Sequence, residues 1–150
     1  CECRYSPPKL KLVMSSTNLT LRKVAQTGLI GIFSLTLIFH LLVLTGIIPY
    51  SIVWGGRINS QSQMIIFETV SIVVNAFFLL VVLLKSGFLK VQLPEKIANG
   101  ILWMMVIVFL LNTVGNLLST NSLEKTIFTP ITLLLAVFSL ILVLNKKTVE

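Results

Sequence analysis

The chain has 150 residues, of which 55% are hydrophobic and only 11% charged, and its formal net charge is +7. Soluble domains carry about 25% charged residues, and a soluble fold of this length exposes too much of its area to hide so many apolar side chains. The composition therefore excludes an ordinary soluble domain. No run of Lys and Arg is long enough, or mixed with enough aromatic residues, to indicate nucleic acid as a partner.

The first 26 residues are predicted to form a polar segment in the cytoplasm. Residues 1–13 precede Met14, and "MSSTNLTLRKV" is typical of a natural start, so residues 1–13 are either a non-native addition or an upstream extension. Cys1 and Cys3 form a pair that alone is a weak indication of a metal site, because a closed zinc site needs four ligands. We therefore expect no metal and no cofactor.

Four nearly continuous apolar runs follow, within a predicted transmembrane domain at residues 27–145. A helix needs about 20 apolar residues to cross a hydrocarbon core, and the runs do not alternate as the strands of a membrane barrel would. The sequence therefore predicts an all-α membrane protein with four transmembrane helices in an up-down bundle. The predicted helices are 29–49, 64–84, 97–118 and 127–144.

Lysine and arginine are unevenly distributed over the connections between these runs. The N-terminal segment, the second connection and the tail 146–150 together contain ten, whereas the first and third connections contain two. The positive-inside rule places the ten on the cytoplasmic side. Both termini are therefore predicted to be cytoplasmic, with the chain integral to the lipid bilayer of a plasma membrane.

Polar side chains inside the apolar runs form stripes on the predicted helices. Glu68 and Asn75 are seven residues apart, and Asn112 and Asn116 are four apart, so each pair lies on one helix face. Burying an amide or carboxylate against hydrocarbon costs several kcal/mol, so we expect these faces to point into the bundle. The predicted pocket, which opens outward, is lined by His40, Glu68, Ser71, Asn75, Asn112 and Asn116, with Arg57 above it.

Glu68 needs a partner if it is to be ionised in the membrane. Arg57 is the first candidate, through a bidentate pair near the outer interface, and His40 is the second. From the predicted helix ends, Glu68 lies about 6 Å and His40 about 13 Å below the outer surface. If neither residue reaches the carboxyl group, we expect it to be protonated.

Three functions are compatible with this pattern. The first is binding or transport of a small solute or ion through the polar pocket, by a monomer or a homo-oligomer. The second is a structural or accessory subunit, whose polar residues only hold the helices together and whose apolar face binds another membrane protein. The third, a lipid-modifying enzyme, is disfavoured because the chain has no Asp and one His, and we expect no catalytic residues.

The stretches "IPYSIVWGGRINSQSQMIIFETVSIVVN" and "LLNTVGNLL" resemble a group of small bacterial membrane proteins with four helices. The resemblance covers about Thr27 to Leu144. It implies four spans and a bacterial inner membrane, and it carries no activity. Small multidrug transporters also have four helices and one intramembrane glutamate, but theirs is in the first helix and Glu68 is in the second, so the likeness is one of architecture.

Overall fold

The computed structural model describes residues 8–50, 53–54, 58–91 and 93–145, and over these residues the protein is all-helical. Four helices in this part of the chain are long and apolar enough to cross a membrane, which confirms the number predicted. Arg57, residues 1–7 and the tail 146–150 lie outside the described residues. The helices are α1 (Pro8–Leu44), α2 (Gln61–Ser86), α3 (Glu95–Leu117) and α4 (Thr129–Leu144), and a short π-helix, Glu124–Phe128, leads into α4.

The end of α1 and the start of α2 both differ from the ends of the apolar runs that predicted these helices. α1 stops at Leu44, five residues before the predicted end, and Gly46 in the following turn has a φ of +78°. α2 begins at Gln61, three residues earlier than predicted, because Ser60 caps it by accepting a hydrogen bond from the Gln63 N–H at 3.3 Å. The apolar run outlasts α1 because the connection itself is apolar, and hydrophobicity alone does not mark a helix end.

α1 lies at the centre of the packing. It packs against both α2 and α4, and α3 packs against α4, whereas α2 and α3 touch at few points. Three buried rings, Phe33 of α1, Phe78 of α2 and Phe109 of α3, meet in a triangle with centroids 5.7 to 6.2 Å apart. Aromatic pairs at these separations are favourable beyond their buried area. The triangle joins three of the four helices near their middles.

The connection between α1 and α2 folds back onto the bundle. Val53 and Ile58 in the connection are buried against Val43 of α1 and Met64 of α2. This apolar packing holds the described part of the connection in place at the end of the bundle where α1 stops and α2 begins, which we call the loop-1 end. The opposite end joins α2 to α3, where Lys85 Nζ donates a hydrogen bond to Asn99 Oδ1.

Candidate functional site

Glu68 is the most deeply buried acidic side chain that the structure describes, at 1% exposed, and both of its carboxylate oxygens have partners. Oε2 is hydrogen-bonded to His40 Nδ1 of α1 at 2.6 Å. Oε1 accepts a hydrogen bond from Trp54 Nε1 at 2.8 Å. A buried carboxyl group needs such bonds to offset its desolvation. The two bonds therefore explain how α2 accommodates an acid in an apolar helix.

The second of the two predicted partners of the Glu68 carboxyl group is the one observed. His40 contacts Glu68, whereas Arg57 lies outside the described residues, so its contact with Glu68 stays a prediction. With the observed helix bounds, His40 is four residues from the end of α1, or about 6 Å. Glu68 is seven residues from the start of α2, or about 10 Å. The predicted helix ends placed His40 deeper in the membrane than Glu68. The observed helix ends place the two residues at more similar distances from the loop-1 end.

Trp54 is a site residue that was not among the predicted site residues. Its backbone has a φ of +58°, a left-handed conformation that bulky residues rarely adopt. Its ring lies 5.0 Å from that of Phe67, the residue before Glu68. The sequence does contain a usable signal, because the indole N–H is a donor that must be satisfied when partly buried. Such a donor beside an intramembrane acid is a candidate partner for it.

Next to this cluster lies a cavity of about 680 Å³ with walls from all four helices. The structure brings six of the seven predicted site residues to its lining, and the seventh is Arg57. Most of the wall is apolar, and the π-helix contributes Ile127 and Phe128. Such π segments are frequent at functional sites. The polar lining residues are His40, Glu68, Ser71, Asn75, Asn112 and Asn116, together with Thr36, Trp54 and Thr132.

The polar groups of the cavity differ in how well they are satisfied. Asn75 Nδ2 donates to the carbonyl of Ser71 at 2.8 Å, and Asn116 Nδ2 reaches Thr132 Oγ1 at 3.4 Å. Thr132 also accepts from Thr113 Oγ1 of α3 at 3.0 Å. Asn112, in contrast, has no hydrogen-bond partner among the described residues. An amide in a spanning helix without a protein partner is exposed to whatever fills the cavity.

The aromatic triangle closes the cavity on the side away from the loop-1 end. Phe109 belongs to both the triangle and the cavity wall. Phe33 and Phe78 pack beside it and are buried at 0% and 3% exposed. The described residues thus give the cavity an aromatic floor on this side.

A second buried acid, Glu124, lies at the start of the π-helix and was not predicted as a site residue. It is 7% exposed, and its backbone carbonyl accepts a hydrogen bond from Thr129 Oγ1 at 3.2 Å. It does not line the cavity. Within the described ranges no three His, Cys, Asp or Glu side chains come close enough together to hold a metal ion.

No family model, no curated protein and no solved structure matches this chain. The likeness to small bacterial four-helix membrane proteins therefore stays a prediction. What the chain does has to be inferred from the chemistry of the cavity.

Proposed function

We propose that the chain is a multi-pass integral membrane protein that binds a small solute or ion in the cavity beside Glu68. The observation that carries the proposal is Asn112, whose amide lines the cavity without a protein partner. Leaving such a group unpaired in an apolar medium costs free energy. A bound solute, or the water it displaces, would supply the missing hydrogen bonds.

The distribution of charge supports an orientation in which the cavity opens away from the cytoplasm. Ten of the twelve Lys and Arg residues lie within residues 4–23, 85–96 and 146–147, which are the two end segments of the chain and the region around the connection between α2 and α3. The positive-inside rule puts those segments in the cytoplasm. The loop-1 end then lies on the outer side of the membrane, which the resemblance implies is a bacterial inner membrane.

Binding, rather than passage, is the step that the geometry supports. A solute that reached Asn112 would meet Phe109, and behind it Phe33 and Phe78, before it could cross the bundle. Transport would require these three rings to separate. The proposal is therefore that of an outward-facing binding site, with transport as its extension if the triangle opens.

A second candidate function is that of a structural or accessory subunit, alone or as part of a homo-oligomer. The bonds from His40 and Trp54 to Glu68 favour it, because they tie α1 and the α1–α2 connection to α2. The Thr113–Thr132 bond ties α3 to α4 in the same way. Interhelical bonds of this kind contribute about 0.6 to 2 kcal/mol each. Under this candidate the cavity binds nothing.

Cysteine accessibility tests the first candidate. In a background with Cys1→Ser and Cys3→Ser, Asn112→Cys should react with a membrane-impermeant thiol reagent added to the outer side of intact cells. The control is Leu111→Cys at the neighbouring position. Leu111 is 66% exposed on the helix surface and does not line the cavity. This variant should stay unreacted, because thiolates form poorly in hydrocarbon.

A solute that binds should protect Asn112→Cys from the reagent. Equal and slow labelling at both positions would show that water does not reach the cavity, and would leave the structural subunit as the better candidate. Labelling of Asn112→Cys only from the cytoplasmic side would reverse the orientation.

A further inference from the structure

The cavity has a side opening between α1 and α4. The two helices are in contact at Gly28, against which the ring of Phe138 is packed. α1 also contacts the π-helix that leads into α4, because the ring of Phe39 lies 5.2 Å from that of Phe128. Gly28 and Phe39 are eleven residues apart, which is about 16 Å along a helix. Between the two contacts, the cavity wall includes Leu35, which is 69% exposed.

Leu134 of α4, 45% exposed, lines the same cavity from the other side of this opening. Residues that line a cavity and are also exposed on the lateral surface of the bundle mark a passage between the two. In a spanning segment that surface faces acyl chains. The cavity is therefore continuous with the lateral surface between α1 and α4.

A groove of about 630 Å³ continues the opening along the outside of α1. It shares Ile32 and Leu35 with the cavity and runs past Gly31 to Lys23. From Leu35 to Lys23 is twelve residues, or about 18 Å. At Gly31 no atom lies within 4 Å of where a side chain would begin, so the groove has room for a chain of methylene groups. An alkyl chain is the occupant that matches its apolar wall and its direction along the membrane.

The polar part of the cavity determines which head group would fit. The lining residues that the structure describes include no Lys or Arg, so they favour an uncharged head group. Glu68 is the acidic group of the lining, but both its oxygens are already hydrogen-bonded, one to His40 and one to Trp54. The lining groups without a hydrogen bond among the described residues include the Asn112 amide, the Asn75 Oδ1 and the Ser71 Oγ, which suit a hydroxyl group because it both donates and accepts.

We infer, on the basis of the proposed function, that the cavity takes an uncharged amphiphile, an alcohol with one alkyl chain, which enters sideways from the lipid between α1 and α4. The hydroxylated head lies at Asn112 and Asn75, and the chain leaves through the opening at Leu35 into the groove along Gly31. This assigns both the chemical class of the ligand and its route.

The test uses 1-decanoylglycerol as the probe and the full chain in phosphatidylcholine nanodiscs. The chain has two tryptophans, so Trp103→Phe leaves Trp54, in the cavity wall, as the single fluorescent reporter. Decanoylglycerol should change Trp54 emission saturably. Glycerol, which has the head without the chain, and decanoate, which has the chain with a charge, should not.

Two variants test the route and the head contact. Gly31→Leu adds a side chain in the groove at a position where its Cβ has no atom within 4 Å, and Asn112→Leu removes the amide, so each should weaken binding by about tenfold or more. Gly115→Leu is the matched control for the first, because a Cβ at Gly115 of α3 also has no atom within 4 Å and Gly115 lies outside both groove and cavity. It should bind within about twofold of the parent.

Each contrary outcome has a separate meaning. Binding of glycerol as tight as that of decanoylglycerol, or full binding by Gly31→Leu, overturns the lipid route but leaves the proposed solute site standing. Unchanged binding by Asn112→Leu overturns the head contact. No binding of any probe while Asn112→Cys is labelled from outside overturns the ligand class alone, and no binding with no labelling overturns the proposed function as well.

Discussion

His40 Nδ1 lies 2.6 Å from Glu68 Oε2, so that two ionisable residues 28 positions apart form a hydrogen-bonded pair between α1 and α2. The pair is shielded, with side chains 14% and 1% exposed. Trp54 closes the other side of the carboxyl group. This cluster forms one part of the cavity lining, and its contribution to stability can be separated from that of Asn112 and Asn116 on α3.

The His40–Glu68 pair is expected to be strongly coupled. His40→Leu and Glu68→Leu each take a hydrogen-bond partner from a buried polar group, which costs about 1–3 kcal/mol. The double variant leaves neither unpaired, so it should be more stable than the sum of the single effects by about 1–3 kcal/mol. Thermal unfolding in detergent at pH 7 measures all four proteins.

The control for this cycle combines Glu68→Leu with Lys85→Met at the opposite end of the bundle. The two residues are 17 positions apart on α2, or about 25 Å. Their effects should add to within about 0.5 kcal/mol. Additive effects of His40→Leu and Glu68→Leu as well would mean that the 2.6 Å contact contributes nothing to stability.

Trp54→Phe should destabilise the protein although it keeps an aromatic ring. It removes the donor to Glu68 Oε1, and leaving a buried acceptor without its partner costs about 1–3 kcal/mol. The stacking on Phe67 can persist. Trp103→Phe is the matched control, because Trp103 is 47% exposed, and such substitutions change stability by about 0.5 kcal/mol or less. Equal melting temperatures for the two variants would argue that the Trp54 bond is not formed.

Two glycines on α1 should respond to alanine in opposite directions. A Cβ on Gly28 would overlap the ring of Phe138, so Gly28→Ala should cost about 1–3 kcal/mol despite the better helix propensity of alanine. Gly31 has open space, so Gly31→Ala should gain up to about 1 kcal/mol. The two melting temperatures measured side by side test the contact between α1 and α4. A gain at both positions would show that Phe138 does not pack on Gly28.

The aromatic floor should depend on the buried ring and not on its neighbour. Phe78→Ala removes one corner of the triangle and should cost about 3–5 kcal/mol. Phe77 is 45% exposed, so Phe77→Ala should cost much less. If Phe78→Ala still folds in lipid, Asn112→Cys in that background should become reactive from both sides of the membrane. Reactivity from the outer side alone would mean that another layer closes the cavity.

The membrane-spanning class and the polar faces could be predicted from the sequence because both depend on local patterns. Twenty-residue apolar runs give the spans, and spacings of four and seven residues put Asn112 with Asn116 and Glu68 with Asn75 on common faces. The residue that pairs with Glu68 was harder to predict. Arg57 has the right charge, but which residue reaches Glu68 depends on where α1 ends, and that is determined by a turn at Gly46 inside an apolar stretch. Trp54 reaches the site only because the connection folds back, which no periodicity reveals.

The contrast between Asn112 and its neighbour Thr113 tests most directly whether the cavity is a binding site or only part of the helix packing. The measurement is the thermal unfolding of Asn112→Leu and of Thr113→Val, in detergent without added ligand. Thr113 bonds to Thr132, so Thr113→Val should lower stability by about 0.6 kcal/mol and at most about 1.7. Asn112 has no partner among the described residues, so Asn112→Leu should leave stability unchanged or raise it by about 1 kcal/mol. If Asn112→Leu is instead destabilised as much as Thr113→Val, the asparagine is part of the helix packing and the binding site is contradicted.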